Sequence, residues 1–228
     1  MKVSIIVPAR NEASIIEENL KNLKRVLRKY DYEIIVSEDG STDGTDTILE
    51  NIAKQEKRIE HLHSKSRLGK GKALKNAFRI ANGQVLLFID ADARNNFKLI
   101  PTYIEKIFSG YDVCNSSRYL KESKQNRKFA RRIVSVGYKT LVKLFFNTKL
   151  TDFQCGFKAF SRRTVPILLK AKNDGYAWDT EILVELEQKK FKIMEMPVNW
   201  YDKDGSNLNV AKDSFIFFFD LVKIRLNQ

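Results

Sequence analysis

Val85-Leu86-Leu87-Phe88-Ile89-Asp90-Ala91-Asp92 decides how this chain is read. An unbroken run of five apolar residues suits a strand buried on both faces, the kind found in parallel sheets. The carboxylates that extend it, two residues apart, point to one side unless the chain turns between them. Working outward, Val3–Val7, Glu33–Ser37, Ile59–Leu62 and Asp112–Asn115 are further short aliphatic or β-branched runs. Between them apolar residues recur at helical spacing: Ile16, Leu20, Leu23 and Leu27; Ala73, Ala77 and Ile80 after Gly69; Ile100, Tyr103, Ile104 and Ile107. Strand then helix, four times over, predicts an α/β fold with a doubly wound, mostly parallel central sheet flanked by helices. Ligands of such sheets bind beyond the carboxyl ends of the strands.

Three polar clusters fall at those ends. Pro8-Ala9-Arg10-Asn11-Glu12 follows the first strand, Glu38-Asp39-Gly40-Ser41-Thr42-Asp43-Gly44 the second and Asp90-Ala91-Asp92 the fourth. A lone Asp-x-Asp also occurs in ordinary loops and at helix starts. After a buried strand it can hold Mg2+ or Mn2+, which take one or two carboxylates and fill the remaining positions with phosphate oxygens and water. Asp90 and Asp92 are the metal candidates. Glu38 and Asp39 set two like charges side by side, which calls for a partner such as a nucleobase imide or a ribose hydroxyl. Gly, Ser and Asp also make turns and caps without any ligand, and Ser41 or Asp43 is expected to cap the helix bearing Ile48 and Ile52. Gly69-Lys70-Gly71-Lys72 lacks the GxxxxGK[ST] spacing of a P-loop; it is either a diphosphate seat at a helix amino terminus or a flexible basic turn. His61 and His63, read without Cys or carboxylate ligands nearby, make a poor zinc site.

At 228 residues the chain is expected to form a single domain over 1–228, and 43% hydrophobic residues supply a core that excludes disorder as the main state. A net charge of +13 favours polyanions, phosphorylated substrates or an anionic membrane surface. The run Val3–Val7, stopped by Pro8, is too short for a signal peptide, and no window of about 20 residues is apolar enough to span a bilayer. A soluble or peripheral protein is expected. Cys114 and Cys155, the two cysteines, build no disulfide framework and read as small buried hydrophobes in a reducing compartment.

Ser4-Ile-Ile-Val-Pro-Ala-Arg-Asn-Glu12, Ile35-Val-Ser-Glu-Asp-Gly-Ser-Thr-Asp-Gly44, Gly69-Lys-Gly-Lys-Ala73 and Phe88-Ile-Asp-Ala-Asp92 resemble, in order, the nucleotide-sugar motifs of family 2 glycosyltransferases with the GT-A (Rossmann-like) fold. Ser117-Arg118-Tyr119, Arg131-Arg132 and Thr151-Asp-Phe-Gln-Cys-Gly-Phe-Lys158 resemble the branch that loads a hexose onto dolichyl or another polyprenyl phosphate, closer to its glucosyl than its mannosyl members. The resemblance runs from about Val3 to Arg225. It implies UDP-glucose over GDP-mannose as donor, bound by residues 1–115, and a polyprenyl phosphate acceptor bound by 116–228. Pro8, Glu12 and Asp39 would contact the nucleoside, with Arg10, Glu38, Lys70 and Ala91 in the same donor site. Asp90 and Asp92 would hold the cation and the diphosphate, Arg118 with Arg131 or Arg132 would grip the acceptor phosphate, and Asp152 would lie beside the transferred sugar. Trp178-Asp179 is a candidate sugar contact by the same resemblance. Arg94 stands where mannosyl relatives often carry Gln near the metal, so it either leaves the coordination leaner or touches phosphate itself. Asn207 stands after Ser206 where many relatives have Lys.

Charge supports such an acceptor separately. Of residues 118–149, ten are Lys or Arg and one, Glu122, is acidic. Phe129, Ile133, Val136, Leu141 and Leu144-Phe145-Phe146 pattern an amphipathic helix with basic residues on its other face, suited to lying on anionic lipid. Phe215–Arg225 repeats the theme, or is a core helix packed on the sheet. No aromatic residue interleaves with the basic run as base stacking needs, so no nucleic acid is expected. The expected place of action is the cytoplasmic face of a membrane, held peripherally, through a membrane partner that supplies the anchor, or as a homo-oligomer. A phosphate acceptor is already ionised and needs little general-base help, which predicts a single inverting displacement in which Asp92, Asp152, Arg118, Arg131 and Arg132 position and stabilise charge. With a hydroxyl acceptor, Thr151-Asp152 becomes a candidate base. Two other readings stay open: transfer to a polysaccharide or other hydroxyl, and a non-enzymatic basic module that binds nucleic acid or lipid.

Overall fold

The computed structural model describes residues 2–126, 129–201 and 210–226. Its main sheet contains β1 (Lys2–Ala9), β2 (Asp31–Glu38), β3 (Ile59–Leu62), β4 (Val85–Ile89), β5 (Val113–Ser117), β7 (Phe157–Ser161) and β8 (Ile193–Pro197) in the order β3-β2-β1-β4-β7-β5-β8. A second, two-stranded sheet pairs β6 (Lys124–Asn126) with β9 (Asn199–Tyr201) in parallel. The α-helices among the described residues are α1 (Ile16–Leu27), α2 (Thr45–Gln55), α3 (Lys70–Ile80), α4 (Ile100–Phe108), α5 (Phe129–Phe146), α6 (Val165–Lys170), α7 (Trp178–Gln188) and α8 (Val210–Leu226). The expected mostly parallel sheet flanked by helices is present, and all five expected strands lie in it.

Alternation along the strands builds two core layers. Val85, Leu87 and Ile89 face a layer containing Leu20, Leu23 and Leu27 of α1 and Ile100, Tyr103 and Ile104 of α4. Leu86 and Phe88 face the other, formed by Leu74 and Phe78 of α3, Leu168 of α6, Trp178 and Leu183 of α7 and Leu221 of α8. Both faces being covered, β4 reads as a continuous apolar run rather than an alternating one. The chain winds outward from β1 through β2 to β3, then returns to place β4 on the other side of β1. That reversal opens a crevice at the carboxyl ends of β1 and β4, where sheets of this type take ligands.

Of the two strands of the main sheet that pattern reading missed, β7 and β8, the first is Phe157-Lys-Ala-Phe-Ser161. It runs antiparallel to both β4 and β5, with Ile89 opposite Phe157 and Phe88 opposite Lys158. A lysine in mid-run hides the apolar signature. In the fold Lys158 is fully buried and ion-paired to Asp179, so the strand tolerates it.

Helix α2 opens at Gly44, whose φ of 91° suits glycine. Asp43, expected as a cap, stands one residue earlier and accepts from the Thr45 N–H at 3.1 Å and the Ala13 N–H at 3.0 Å. The two candidate interfacial helices α5 and α8 pack on each other through Tyr138 against Phe217, ring centroids 5.2 Å apart, and Phe145 against Phe218. Each is core on one side and open on the other. Tyr138, Val142, Leu221 and Ile224 are buried, while Ile133, Val136, Leu144, Ile216, Phe218 and Phe219 are exposed.

Candidate active site

Asp39 ends the run that begins as β2 and does two things at once. Its Oδ1 accepts from the backbone N–H groups of Leu68 and Gly69, the latter at 3.3 Å, which fixes the loop that starts α3. It also lines a cleft of about 250 Å³ together with Pro8, Ala9, Arg10, Glu12, Arg67, Lys70, Ala73, Asp90, Ala91, Asp92 and Tyr176. Every residue assigned to the donor site from sequence is therefore on one cleft, except Glu38. Arg67 and Tyr176 are added by the fold. Tyr176 comes from the carboxyl-terminal half, so the cleft is not confined to residues 1–115.

Glu38 lies beside Asp39 in sequence but its carboxylate goes elsewhere. Fully buried, it accepts from the Ser41 N–H through Oε1 and meets His63 Nδ1 at 2.8 Å through Oε2. The like charges of Glu38 and Asp39 are thus compensated within the chain by separate donors, without a ligand. The same arrangement corrects the view that no carboxylate lies near the histidines. Glu38, His61 and His63 bring three ligand-type atoms within 4.8 Å of one another. Burial lowers the pKa of His61 and favours its neutral form.

Asp90 sits where β4 ends, and its N–H donates to the Gly156 carbonyl at 2.8 Å. A Cβ on residue 156 would lie 1.7 Å from Asp90 Oδ2, so the carboxylate fills the space that only glycine leaves. Lys70, on the first turn of α3, reaches Asp90 Oδ1 at 3.0 Å. Burial alone would lower the pKa of this ammonium, but the charges of Asp90 and Asp179 and the hydrogen bond to Asp90 outweigh it and hold it above the ordinary lysine range. The cleft thus opposes a group of carboxylates, Glu12, Asp39, Asp90 and Asp92, to three cationic side chains, Arg10, Arg67 and Lys70. That donor set suits a hard divalent cation bridged to a diphosphate. Arg94 is not part of it: its guanidinium lies 3.5 Å from Glu18.

The residues assigned to the acceptor are arranged differently from expectation. Arg118 and Asp152 form a buried bidentate pair, Nε to Oδ2 at 2.7 Å and Nη2 to Oδ1 at 2.8 Å, and the Arg118 N–H donates to Oδ2 at 3.0 Å. Burial raises the carboxyl, yet the charge and hydrogen bonds of Arg118 prevail and keep Asp152 below the usual Asp value. A carboxylate so engaged is a poor general base, which counts against the role that Thr151-Asp152 would take only with a hydroxyl acceptor. Glu195 on β8, unmarked in sequence, seats this loop by accepting from the Thr151 N–H and hydroxyl at 2.9 and 2.8 Å and the Asp152 N–H at 3.2 Å. The Arg118 guanidinium lies 5.7 Å from the Trp200 ring centroid. Arg132 is exposed on α5. The side chain of Arg131 and the pair Ser206-Asn207 lie outside the described residues.

Trp178 is core rather than a sugar contact, being 1% exposed, stacked near Phe78 and bonded through Nε1 to the Leu168 carbonyl at 3.1 Å. Cys114 and Cys155 are free and buried, and burial pushes both thiols up to about 12, as expected of inert packing residues.

Residues 4–166, which carry all the cleft residues except Tyr176, match the model of Glycosyl transferase family 2. The chain belongs to glycosyltransferase family 2. Among the curated relatives it is 36% identical over 219 residues to glycosyltransferase AglD of Haloferax volcanii, an alignment that covers 93% of this chain and 35% of that protein. It is also 33% identical over 241 residues to a dolichyl-phosphate beta-glucosyltransferase of Dictyostelium discoideum, covering 98% of this chain and 73% of that one. The chain thus spans about a third of the first relative and about three quarters of the second. Glucosyl-3-phosphoglycerate synthase from Mycobacterium tuberculosis, solved with Mn2+, UDP-glucose and phosphoglyceric acid, superposes with a TM-score of 0.74 at 20% identity over 98% of this chain and 79% of that one. That likeness shows the shared GT-A fold, the architecture expected of a family 2 glycosyltransferase.

Proposed function

We propose that this chain moves glucose from UDP-glucose to dolichyl or another polyprenyl phosphate at a membrane surface, inverting the anomeric centre. The observation that carries the reading is the cleft at the carboxyl ends of β1 and β4, where four carboxylates face three cations. Relatives named dolichyl-phosphate beta-glucosyltransferases support the choice of acceptor and sugar. Asp90 and Asp92 would hold Mg2+ or Mn2+, and the space over Gly156 fits a carboxylate kept free of steric crowding for that purpose. When bound, the cation supplies positive charge to the departing nucleotide diphosphate.

The remaining work falls to this chain's own groups. Arg10, Arg67 and Lys70 fix the diphosphate, and Asp39 orients the nucleoside while it anchors the loop at Leu68 and Gly69. The acceptor phosphate arrives ionised, so no base has to remove a proton, and catalysis is placement and electrostatics. The basic segment 118–149 and the exposed apolar residues of α5 and α8 draw the protein to anionic lipid, as interfacial helices do. None of the described helices is long and apolar enough to cross a membrane.

The test is an assay with labelled UDP-glucose or GDP-mannose, Mn2+, and vesicles containing a polyprenyl phosphate, run beside soluble hydroxyl acceptors. Label from UDP-glucose should enter the lipid. Transfer only to the soluble acceptors, or no binding of either nucleotide sugar, overturns the reading.

A further inference from the structure

Lys158 Nζ, fully buried, meets Asp179 Oδ1 at 2.7 Å, off the hydrogen-bonding direction, and donates to the Cys155 carbonyl. Asp179 Oδ2 lies 3.9 Å from Lys70 Nζ, which in turn lies 3.0 Å from Asp90. Both ammonium groups approach the ring of buried Phe88, at 4.8 and 5.5 Å from its centroid. Four charges of alternating sign, Lys158, Asp179, Lys70 and Asp90, therefore run from the core to the floor of the cleft. Only the outer two are partly exposed, Lys70 at 16% and Asp90 at 23%. The family motifs quoted above account for Asp90 and Lys70 but give Lys158 no task, and Asp179, named with Trp178 as a candidate sugar contact, is buried.

A cation already rests on Asp90, and it is Lys70. A divalent ion that takes the same carboxylate must displace this ammonium or share with it, and a poorly hydrated ammonium left without a countercharge is destabilised. Asp179 removes that difficulty, since it offers Lys70 a second carboxylate that is rigidly held by Lys158. We propose that Lys70 is an exchangeable occupant of the Asp90 site and that Asp179, fixed by Lys158, is the positioning residue that keeps a countercharge for Lys70 when Asp90 is given up to a divalent cation. The inference rests on the reading of Asp90 as a metal ligand. Through it the ammonium is retained beside the diphosphate seat rather than expelled.

The test uses Mn2+ alone, without nucleotide or acceptor, and reads free Mn2+ by electron paramagnetic resonance. Lys70→Met should tighten Mn2+ binding by roughly tenfold, the effect of removing one competing charge at contact distance. Asp179→Asn with Lys158→Met removes the buried pair together, so that no lone charge is left behind. In that background Mn2+ should bind more weakly than to the parent protein, and the gain from Lys70→Met should be larger than in the parent. A role confined to folding predicts the same Lys70→Met effect in both backgrounds, and that result overturns the part given to Asp179. Should the paired substitution prevent folding, Asp179→Glu, which keeps a countercharge for Lys158 while moving the carboxylate, replaces it; an unchanged Lys70→Met gain counts against the proposal there too. If the parent binds Mn2+ and Lys70→Met leaves or weakens that binding, the exchange alone is wrong. If the parent binds no Mn2+, the metal reading fails and the exchange with it.

Discussion

The carboxylate of Asp90 occupies the volume that a methyl group on residue 156 would need, with Oδ2 only 1.7 Å from the position of such a Cβ. Gly156→Ala should therefore move the carboxylate at a stability cost of about 1–3 kcal/mol, and lower Mn2+-dependent UDP binding by roughly tenfold or more, measured calorimetrically on a protein with an unchanged circular dichroism spectrum. Arg118 and Asp152 make a different kind of residue pair, closed on itself and buried. Asp152→Asn leaves a buried guanidinium without its partner and should cost about 3–5 kcal/mol in urea unfolding. The pH dependence follows from the lowered Asp152 carboxyl. Its folded pKa lies below its unfolded one, so its contribution is complete above the unfolded value of about 4 and is lost as pH falls through the folded value. Urea unfolding of the parent between pH 6 and 2, set against Asp152→Asn, should show the difference between them shrinking at the acid end. A constant difference would show that the carboxylate charge is not what stabilises this loop. At this scale Asp90 and Asp92 are legible in sequence because a three-residue motif, Asp-x-Asp, set after a strand, announces itself. Gly156 carries no such mark, since the atom that needs its empty space lies 66 residues away in the chain.

Elements were legible wherever the apolar pattern was clean. The strands buried on both faces and the helices α1, α3 and α4 follow from runs and spacings that need no knowledge of neighbours. β7 was not, because Lys158 interrupts it and only the partner Asp179, on α7, makes a lysine acceptable there. The antiparallel register that puts Ile89 opposite Phe157 is also what sets Gly156 beside Asp90. For α8 the pattern left a core helix and an interfacial helix both open, and for α5 it gave an interfacial helix; in the fold each buries one side and leaves apolar residues exposed on the other. Leu144 on α5 is 77% exposed, and Phe219 on α8 is exposed as well. Leu144→Glu with Phe219→Ser should reduce sedimentation with anionic vesicles severalfold while leaving the melting temperature nearly unchanged, since substitutions at exposed positions usually stay within about 0.5 kcal/mol. A protein that still sediments fully with vesicles would remove these helices from the membrane role.

For the whole molecule, a cleft built from the ends of β1 and β4 and the start of α3 couples ligand binding to the stability of the entire sheet. Mn2+ with UDP at about a hundred times the dissociation constant should add about 2.7 kcal/mol, a rise of roughly 5–10 °C in melting temperature for a chain of this length. GDP in place of UDP should raise it less; an equal rise would withdraw the preference for uridine. The sequence by itself determined five of the seven strands of the main sheet, the two-sided burial of its centre, the position of the cleft and most of the residues on it. It could do so because those features depend on local periodicity and on motifs that follow strands directly. Only the tertiary structure decided where side-chain charges are spent: Glu38 on His63 and Ser41, Asp152 on Arg118, Lys158 on Asp179, and Lys70 between Asp90 and Asp179. The reason is physical. Whether a carboxylate is free for a ligand depends on which cation lies within about 4 Å of it, and that distance is set by strand order and register rather than by spacing along the chain.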